Sequence, residues 1–477
     1  MTTVQALTLE GQSIELAAQN IADFRAAFQG AILTSEDADY DEVRVIWNGM
    51  HDKRPALIAQ CTGTADVIEA VNFAREHRLL TSVRGGGHNV GGTASNDGGI
   101  MIDLSLLKGI HVDAKTSRVR VQGGVTLGEL DRETQAYGLA VPSGNVSTTG
   151  IAGLTLGGGL NHLRRKYGLA IDNLKSVNMV TAAGQVITAS EEENSDLFWG
   201  IRGGGGNFGI VTSFEFQAHP VGPMITFCAP WYPVDNMNEI LAKWDRFMAD
   251  APEEFSGLAF IWSVPAIPDI PEEYHNQRAL ILAGVHCGPV EEGQKVIQPL
   301  RELGTPMIDM SGPMPWTSVQ TAFDPFFPKG QRQYYFKSCY LKSLDQETIA
   351  ALIPKGINPP TPSILIAIWH YGGAMQRVGD GETAFMGREA TYLFSVDAIW
   401  DDPAQTEEVL AYSRSYLADM EPYSPGGLYV NFAGLGEGGE NLVKSAYGSH
   451  YERLVALKNK YDPTNLFRLN QNIKPSV

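Results

Sequence analysis

The stretch Thr81 to Gly92, TSVRGGGHNVGG, sets one large functional side chain, His88, among five glycines. Glycine has no Cβ and takes positive φ without steric cost, so consecutive glycines let main-chain N–H groups turn inward around an anion such as a pyrophosphate. An imidazole in such a loop is placed for chemistry against a bound aromatic group, or it faces solvent from a glycine turn. The loop by itself leaves both readings open. A second concentration, GNVSTTGIAGLTLGGG, carries Ser147, Thr148, Gly150, Gly153 and the triplet Gly157, Gly158 and Gly159. Small residues there permit close approach of a ligand, and the hydroxyls and amides can donate to phosphate or ring heteroatoms. A third, GGGNFG at Gly204 to Gly209, formally satisfies GxGxxG. In a dinucleotide fold that fingerprint follows a strand and opens a helix. Here helix-like DLFWGI precedes it and strand-like IVTSFEF follows, so a nicotinamide-type Rossmann site is disfavoured.

The elements that must position these loops read as follows. ALIAQC is a short buried strand, TADVIEAVNFAREHRL repeats apolar residues at helical spacing (Val67, Ala70, Val71, Ala74), and a further strand enters the first glycine loop. Together they form a β-α-β unit. GGIMIDLSLLKGIHVDAKTSRVRVQGGV alternates in short β segments, and LGELDRETQAYG is a helix stopped by Gly138. Beyond HPVGP the chain becomes richer in aromatics and proline. Strand-like FIWSV, ALILAGVHCG, QYYFKSCYL, SILIAIWHYGG and ATYLFSV are interleaved with helical stretches, as in an α+β domain with a mostly antiparallel sheet. No internal repeat is present.

Composition narrows the function. A chain of 477 residues holds about three domain-sized units, or two larger ones. A formal net charge of -18 would repel a nucleic-acid backbone or an anionic membrane, so neither is an expected partner. Cys61, Cys228, Cys287 and Cys339 are widely spaced and form no metal motif, which suits buried reduced thiols. The N-terminus lacks the pattern of a secretory signal and no run of 18 apolar residues occurs, so a cytoplasmic location is the default expectation.

Five co-linear motifs, RGGGHNVGG, TTGIAGLTLGGG, KYGLAIDN, DLFWGIRGGGGNFGIVTSFEF and YDPTNLFRLNQNI, resemble the FAD-linked oxidases of the vanillyl-alcohol-oxidase superfamily, in the berberine-bridge-enzyme-like branch. The resemblance covers nearly the whole chain. It implies an α+β architecture: a two-subdomain PCMH-type FAD-binding domain over 1–222 (core about 50–220), a substrate-binding domain over 223–426 whose mostly antiparallel sheet is covered by helices, and a C-terminal segment, 427–477, that returns to the flavin. The GGH histidine of the family, bonded to the flavin 8α-methyl carbon, falls on His88. The cysteine that gives many members a second bond would fall at Val146 or its neighbours. None of these is cysteine, so a single covalent link is expected. The resemblance further implies that Arg84, Gly85, Gly86, Gly87, His88, Asn89 and Gly91 wrap the pyrophosphate and flavin edge. Ser147, Thr148, Gly150, Gly153 and Gly157 to Gly159 would contact flavin and phosphates, Gly209, Ile210 and Val211 would lie by the adenosine, and Asn470 and Asn472 would reach the pyrimidine side of the ring.

For the substrate side the resemblance places Glu382, in DGETAFMGR, where some members keep a catalytic carboxylate or glutamine. Half-buried against a neutral ring, it would have a raised pKa suited to a general base. The alternative is a solvated loop glutamate. On SILIAIWHYGG, Trp369 and Tyr371 share one face and His370 takes the other. His370 is a second candidate base. YVNF resembles a YxNY-type strand with Phe432 at its last position, which leaves Tyr429 as a third. The implied activity is that of an oxidase acting on a small neutral or ring-shaped molecule (alcohol, sugar, phenolic or cyclic amine), with O₂ as acceptor. A flavin dehydrogenase with another acceptor and a non-catalytic flavin-binding protein are the alternatives.

Overall fold

The computed structural model describes residues 3–268, 270–434 and 439–476. Strand Leu57–Gln60, helix Thr64–Glu76 and strand Thr81–Arg84 form the expected unit, with Ile100–Asp103 running parallel between the two strands. The helix buries Val67, Ala70, Val71 and Ala74, the positions its periodicity marks as one face. This small sheet ends where Arg84 hands the chain to the first glycine loop.

The second layer is a five-stranded antiparallel sheet in the order Val186–Ser190, Leu174–Val180, Ile210–Gln217, Arg118–Gln122 and Ile110–Asp113. Helix Ser195–Ile201 packs on it and leads into the third glycine stretch, which then enters Ile210–Gln217.

The third layer is the large sheet. Its central path runs Arg278–His286, Phe255–Ser263, Leu365–His370, Tyr392–Trp400 and Gln333–Leu341, all antiparallel. Both faces of these strands are buried, and period-two alternation decides what each side chain meets. Ile366, Ile368, Phe394 and Val396 pack under helices Met237–Asp250, Gln346–Ile357 and Thr406–Met420. Leu258, Phe260, Leu365, Trp369 and Leu393 face the other way, toward Leu160, Leu169 and Ile171 of the second glycine region.

The C-terminal part turns back on the five-stranded layer. Val443, Tyr447, Leu454 and Leu457, from helices Gly439–Tyr447 and Tyr451–Tyr461, share a core with Leu197, Phe198 and Trp199. One local expectation is corrected: YVNF is a single 3₁₀ turn, Val430–Phe432, rather than a strand. The Phe432 N–H closes the turn on the Tyr429 carbonyl, and the Asn431 side-chain amide donates to the Leu154 carbonyl on helix Ile151–Leu156, so the segment is held by its own turn and a side chain instead of by a sheet edge. All four cysteines are buried and unpaired. Among the described residues no helix is long and apolar enough to cross a membrane.

Candidate active site

A deep cavity opens between the three glycine stretches and the inner face of the large sheet. Gly85, Gly86, Gly87, His88 and Asn89 line it from the first loop, Gly150, Gly153 and Gly157 from the second, Gly205, Gly206, Gly209, Ile210 and Val211 from the third, and Asn470 from the tail. The first two loops touch through backbone. A Cβ on Gly86 would lie 2.3 Å from the Gly150 nitrogen, so only glycine fits there.

His88 sits half-buried at the loop tip. Its Nε2 is 2.8 Å from Thr148 Oγ1, its Nδ1 is 3.4 Å from Thr149 Oγ1, and its ring stacks on Trp47 with centroids 4.6 Å apart. Burial, helped by the Lys329 ammonium, pushes the imidazole down to about 3 even though one side opens on the cavity. At neutral pH it is therefore the uncharged, nucleophilic form.

Several of the expected contacts lie elsewhere. Arg84 does not face the cavity: its guanidinium holds the buried Asp103 carboxylate from two sides and donates to the Val43 carbonyl, which uses up its fork. Gly91 packs against Gly434. The Ser147 backbone N–H donates to Asp324, and its hydroxyl donates to the same carboxylate. Thr148 reaches the cavity only through His88. Gly158 and Gly159 hold positive φ beside Phe385 and Ala170, outside the lining. Of the tail amides Asn470 lines the cavity and Asn472 does not, and the Oδ1 atom of each is buried without a partner.

The three candidate bases separate clearly. Glu382 is exposed, its carboxylate accepting from the Gly379 N–H 3.1 Å away in its own turn. The expectation of a cavity carboxylate there is corrected: Thr383, Ala384 and Phe385 bury their side chains, and the preceding residue is turned out to water. His370 is buried on the helix side of the sheet, edge-on to Trp244 and Tyr392, with burial and the Arg165 and Arg164 charges pushing it down to about 3. It too stays out of the cavity, because Trp369 takes that face.

Tyr429 is in the cavity wall and 1% exposed. Its Oη accepts from the N–H groups of Gly159 (3.2 Å) and Leu160 (3.1 Å) and from Asn431 Nδ2 (2.9 Å). Burial raises the phenol above its ordinary value, and these three donors oppose that rise.

Two lining side chains escaped the sequence reading. His162 is fully enclosed, with neither ring nitrogen partnered, and burial beside Arg164 pushes it down to about 3. Asp397, 7% exposed, points from strand Tyr392–Trp400 into the cavity with Oδ1 unpartnered, and burial pushes its carboxyl up to about 7. A carboxylate inside an apolar strand was the available signal. Among the described residues no group of three or more metal-ligating side chains occurs.

The cavity has the features an FAD would use. No atom lies within 4 Å of where a Cβ would stand on Gly153 or Gly206, so both loops open on free space. The buried Asn145 Oδ1 and Asn470 Oδ1 await a donor there. Those residues and the neutral His88 fit a flavin dinucleotide.

Comparison with known proteins agrees with that fit. The family described as "FAD binding domain" matches residues 55–190, and "Berberine and berberine like" matches 428–474. An FAD-linked oxidoreductase of Dictyostelium discoideum is 32% identical, the alignment covering 96% of this chain and 98% of that one. (R)-6-hydroxynicotine oxidase of Paenarthrobacter nicotinovorans is 32% identical over 94% of this chain and 97% of its own. The crystal structure of 6-hydroxy-D-nicotine oxidase from Arthrobacter nicotinovorans superposes with a TM-score of 0.84 at 30% identity, over 94% of this chain and 98% of that one. With both matched families lining one cavity, and relatives aligned along nearly their whole length, this chain belongs to the berberine-bridge-like FAD-linked oxidoreductases.

Proposed function

We propose that the protein is an oxidase that takes a hydride from a C–H bond, and a proton from the neighbouring O–H or N–H, of a small ring-bearing molecule, with O₂ as the final electron acceptor. The observation that carries this reading is the Tyr429 hydroxyl, held by three N–H donors in the wall of the cavity that also contains His88. FAD bound in the cavity supplies the electron-poor ring that accepts the hydride. The chain's own residues do the rest. The glycine loops admit the cofactor, and Trp47 holds the His88 ring flat while Thr148 and Thr149 fix its nitrogens. His88 is proposed to form the single covalent bond to the cofactor, since Val146 and its neighbours offer no thiol. Tyr429 takes the substrate proton as its phenolate, and the three donors to Oη hold that anion until the proton arrives and leaves a neutral phenol. Phe260, Phe323, Phe336 and Trp369 exclude water and offer flat surfaces to a ring. The reading is supported by relatives named as oxidases.

The test combines two measurements on purified protein. After acid denaturation and filtration the yellow colour should stay with wild type and leave the His88→Ala protein, and an air-saturated substrate panel should produce hydrogen peroxide. Colour lost from denatured wild type removes the covalent bond, and flavin reduced without peroxide makes the protein a dehydrogenase.

A further inference from the structure

Among the described residues Asp397 is the one acidic side chain that lines the cavity, and no lysine or arginine lines it. In strand register it stands opposite Phe336 on one side and Leu365 on the other, both of which also face the cavity. Its Oδ1 has no partner. A carboxylate enclosed among apolar side chains costs several kcal/mol unless it is paired. Among the described residues no cation pairs it. The other unpartnered polar side chains in the wall, His162, Asn145, Trp369 and Asn470, carry no charge that would offset it: His162 stays neutral beside Arg164, and the rest are an indole and two amides. Without a cation the carboxyl is relieved only by holding its proton, and a cation that would keep it ionised is left for a ligand to bring.

We infer that Asp397 anchors the substrate, and that it selects molecules carrying a protonated amine beside an aromatic or alicyclic ring. An ammonium N–H donates a charge-assisted hydrogen bond to the open Oδ1 and neutralises the carboxylate. The face of Phe336, the register partner of Asp397, adds cation–π attraction beside the same nitrogen. An alcohol or ether fills the same space but leaves the charge unpaired. A sugar would find one carboxylate and mostly apolar wall, so most of its hydroxyls would lose their water without replacement. This inference rests on the oxidase reading only in calling the bound molecule a substrate.

The experiment uses the FAD-loaded protein and two isosteric probes, N-methylbenzylamine and benzyl methyl ether. Binding is followed by flavin absorbance changes and calorimetry at about pH 8, where the amine is cationic and the carboxyl is ionised. Wild type should bind the amine about tenfold more tightly than the ether, or better. Asp397→Asn should lose that preference while keeping its affinity for the ether and its flavin content. Should Asp397→Asn not fold, Leu365→Lys places a competing ammonium opposite Asp397 and should weaken the amine far more than the ether. Equal binding of the two probes by wild type, no amine binding at millimolar concentration, or an amine preference retained in either variant overturns the inference. Amine binding that needs Asp397 but leaves the flavin oxidised upholds the anchor and counts against the oxidase reading alone.

Discussion

Three N–H donors on one phenol oxygen favour its anion, while enclosure in an apolar wall favours the neutral form, and for Tyr429 enclosure prevails. The form that accepts a proton is the phenolate, and its fraction grows as pH rises toward the raised value. The rate of anaerobic flavin reduction should therefore climb with alkaline pH. Tyr429→Phe should abolish that climb and lower the rate by roughly 10²–10⁴-fold, the usual loss on removing a general base. Flavin content should be unchanged, since the ring remains. Glu382 provides the contrast. Its carboxylate faces water and caps its own turn, so Glu382→Gln should leave the reduction rate within about threefold of wild type, far short of a lost base. A larger fall would return the role to the 379–382 turn.

The tail works as an element through one buried cation. Lys458, fully buried on helix Tyr451–Tyr461, donates to the Asp462 carboxylate at 2.8 Å, to the Asn207 carbonyl at 2.8 Å and to the Phe467 carbonyl at 3.0 Å. Asn207 belongs to the third glycine stretch, and its amide donates to the Gln471 carbonyl and accepts from the Ile473 N–H. The tail and the glycine loop are thus one hydrogen-bonded unit, with Asn470 presented to the cavity. Lys458→Met leaves the Asp462 carboxylate buried without its cation and should cost about 3–5 kcal/mol in a denaturant titration. Truncation after Tyr461 should lower flavin incorporation and thermal stability together, because a cofactor bound only by the folded state stabilises it by mass action. A truncated protein loaded with flavin at the wild-type level would show the tail to be peripheral.

At the scale of the molecule, the flavin-side layers and the large sheet are joined by polar links that hold the two walls of the cavity in place. Arg388 clamps Asp172 at 2.6 and 3.0 Å, and Arg164 donates to the carbonyls of His370, Gly257 and Asn161. Asp131 accepts from Trp316 Nε1 at 2.9 Å and Gln320 Nε2 at 3.0 Å, and burial raises its carboxyl to about 6. A carboxyl whose value is higher folded than unfolded holds its proton more tightly in the native state. Its contribution to stability therefore falls as pH rises from about 4 to about 6 and is level beyond, a loss of about 3 kcal/mol. Asp131→Asn keeps an acceptor for Trp316 and cannot ionise. Its melting temperature relative to wild type should rise between pH 4 and 6 and then stay level, and a constant difference across that window would show that Asp131 is not titrating there.

The sequence by itself determined whatever depends on neighbours along the chain. The spacing of Val67, Ala70, Val71 and Ala74 marks a helix face, strand alternation puts Trp369 and His370 on opposite sides, and runs of glycine mark where backbone approaches a ligand, so the layers and the His88 loop were legible. The co-linear motifs carried the family in the same way. Only the tertiary structure decided which side chains share the cavity. Arg84 looks like a phosphate ligand until Asp103, nineteen residues on along the chain, takes its guanidinium. Glu382 looks like a base until Thr383 to Phe385 turn inward and leave it in water, and the value of Tyr429 depends on Gly159 and Leu160, some 270 residues before it. Asp397 became visible only when Phe336 and Leu365 were set beside it with no cation at hand. Burial and charge compensation are sums over neighbours in space, and chain order does not carry that sum.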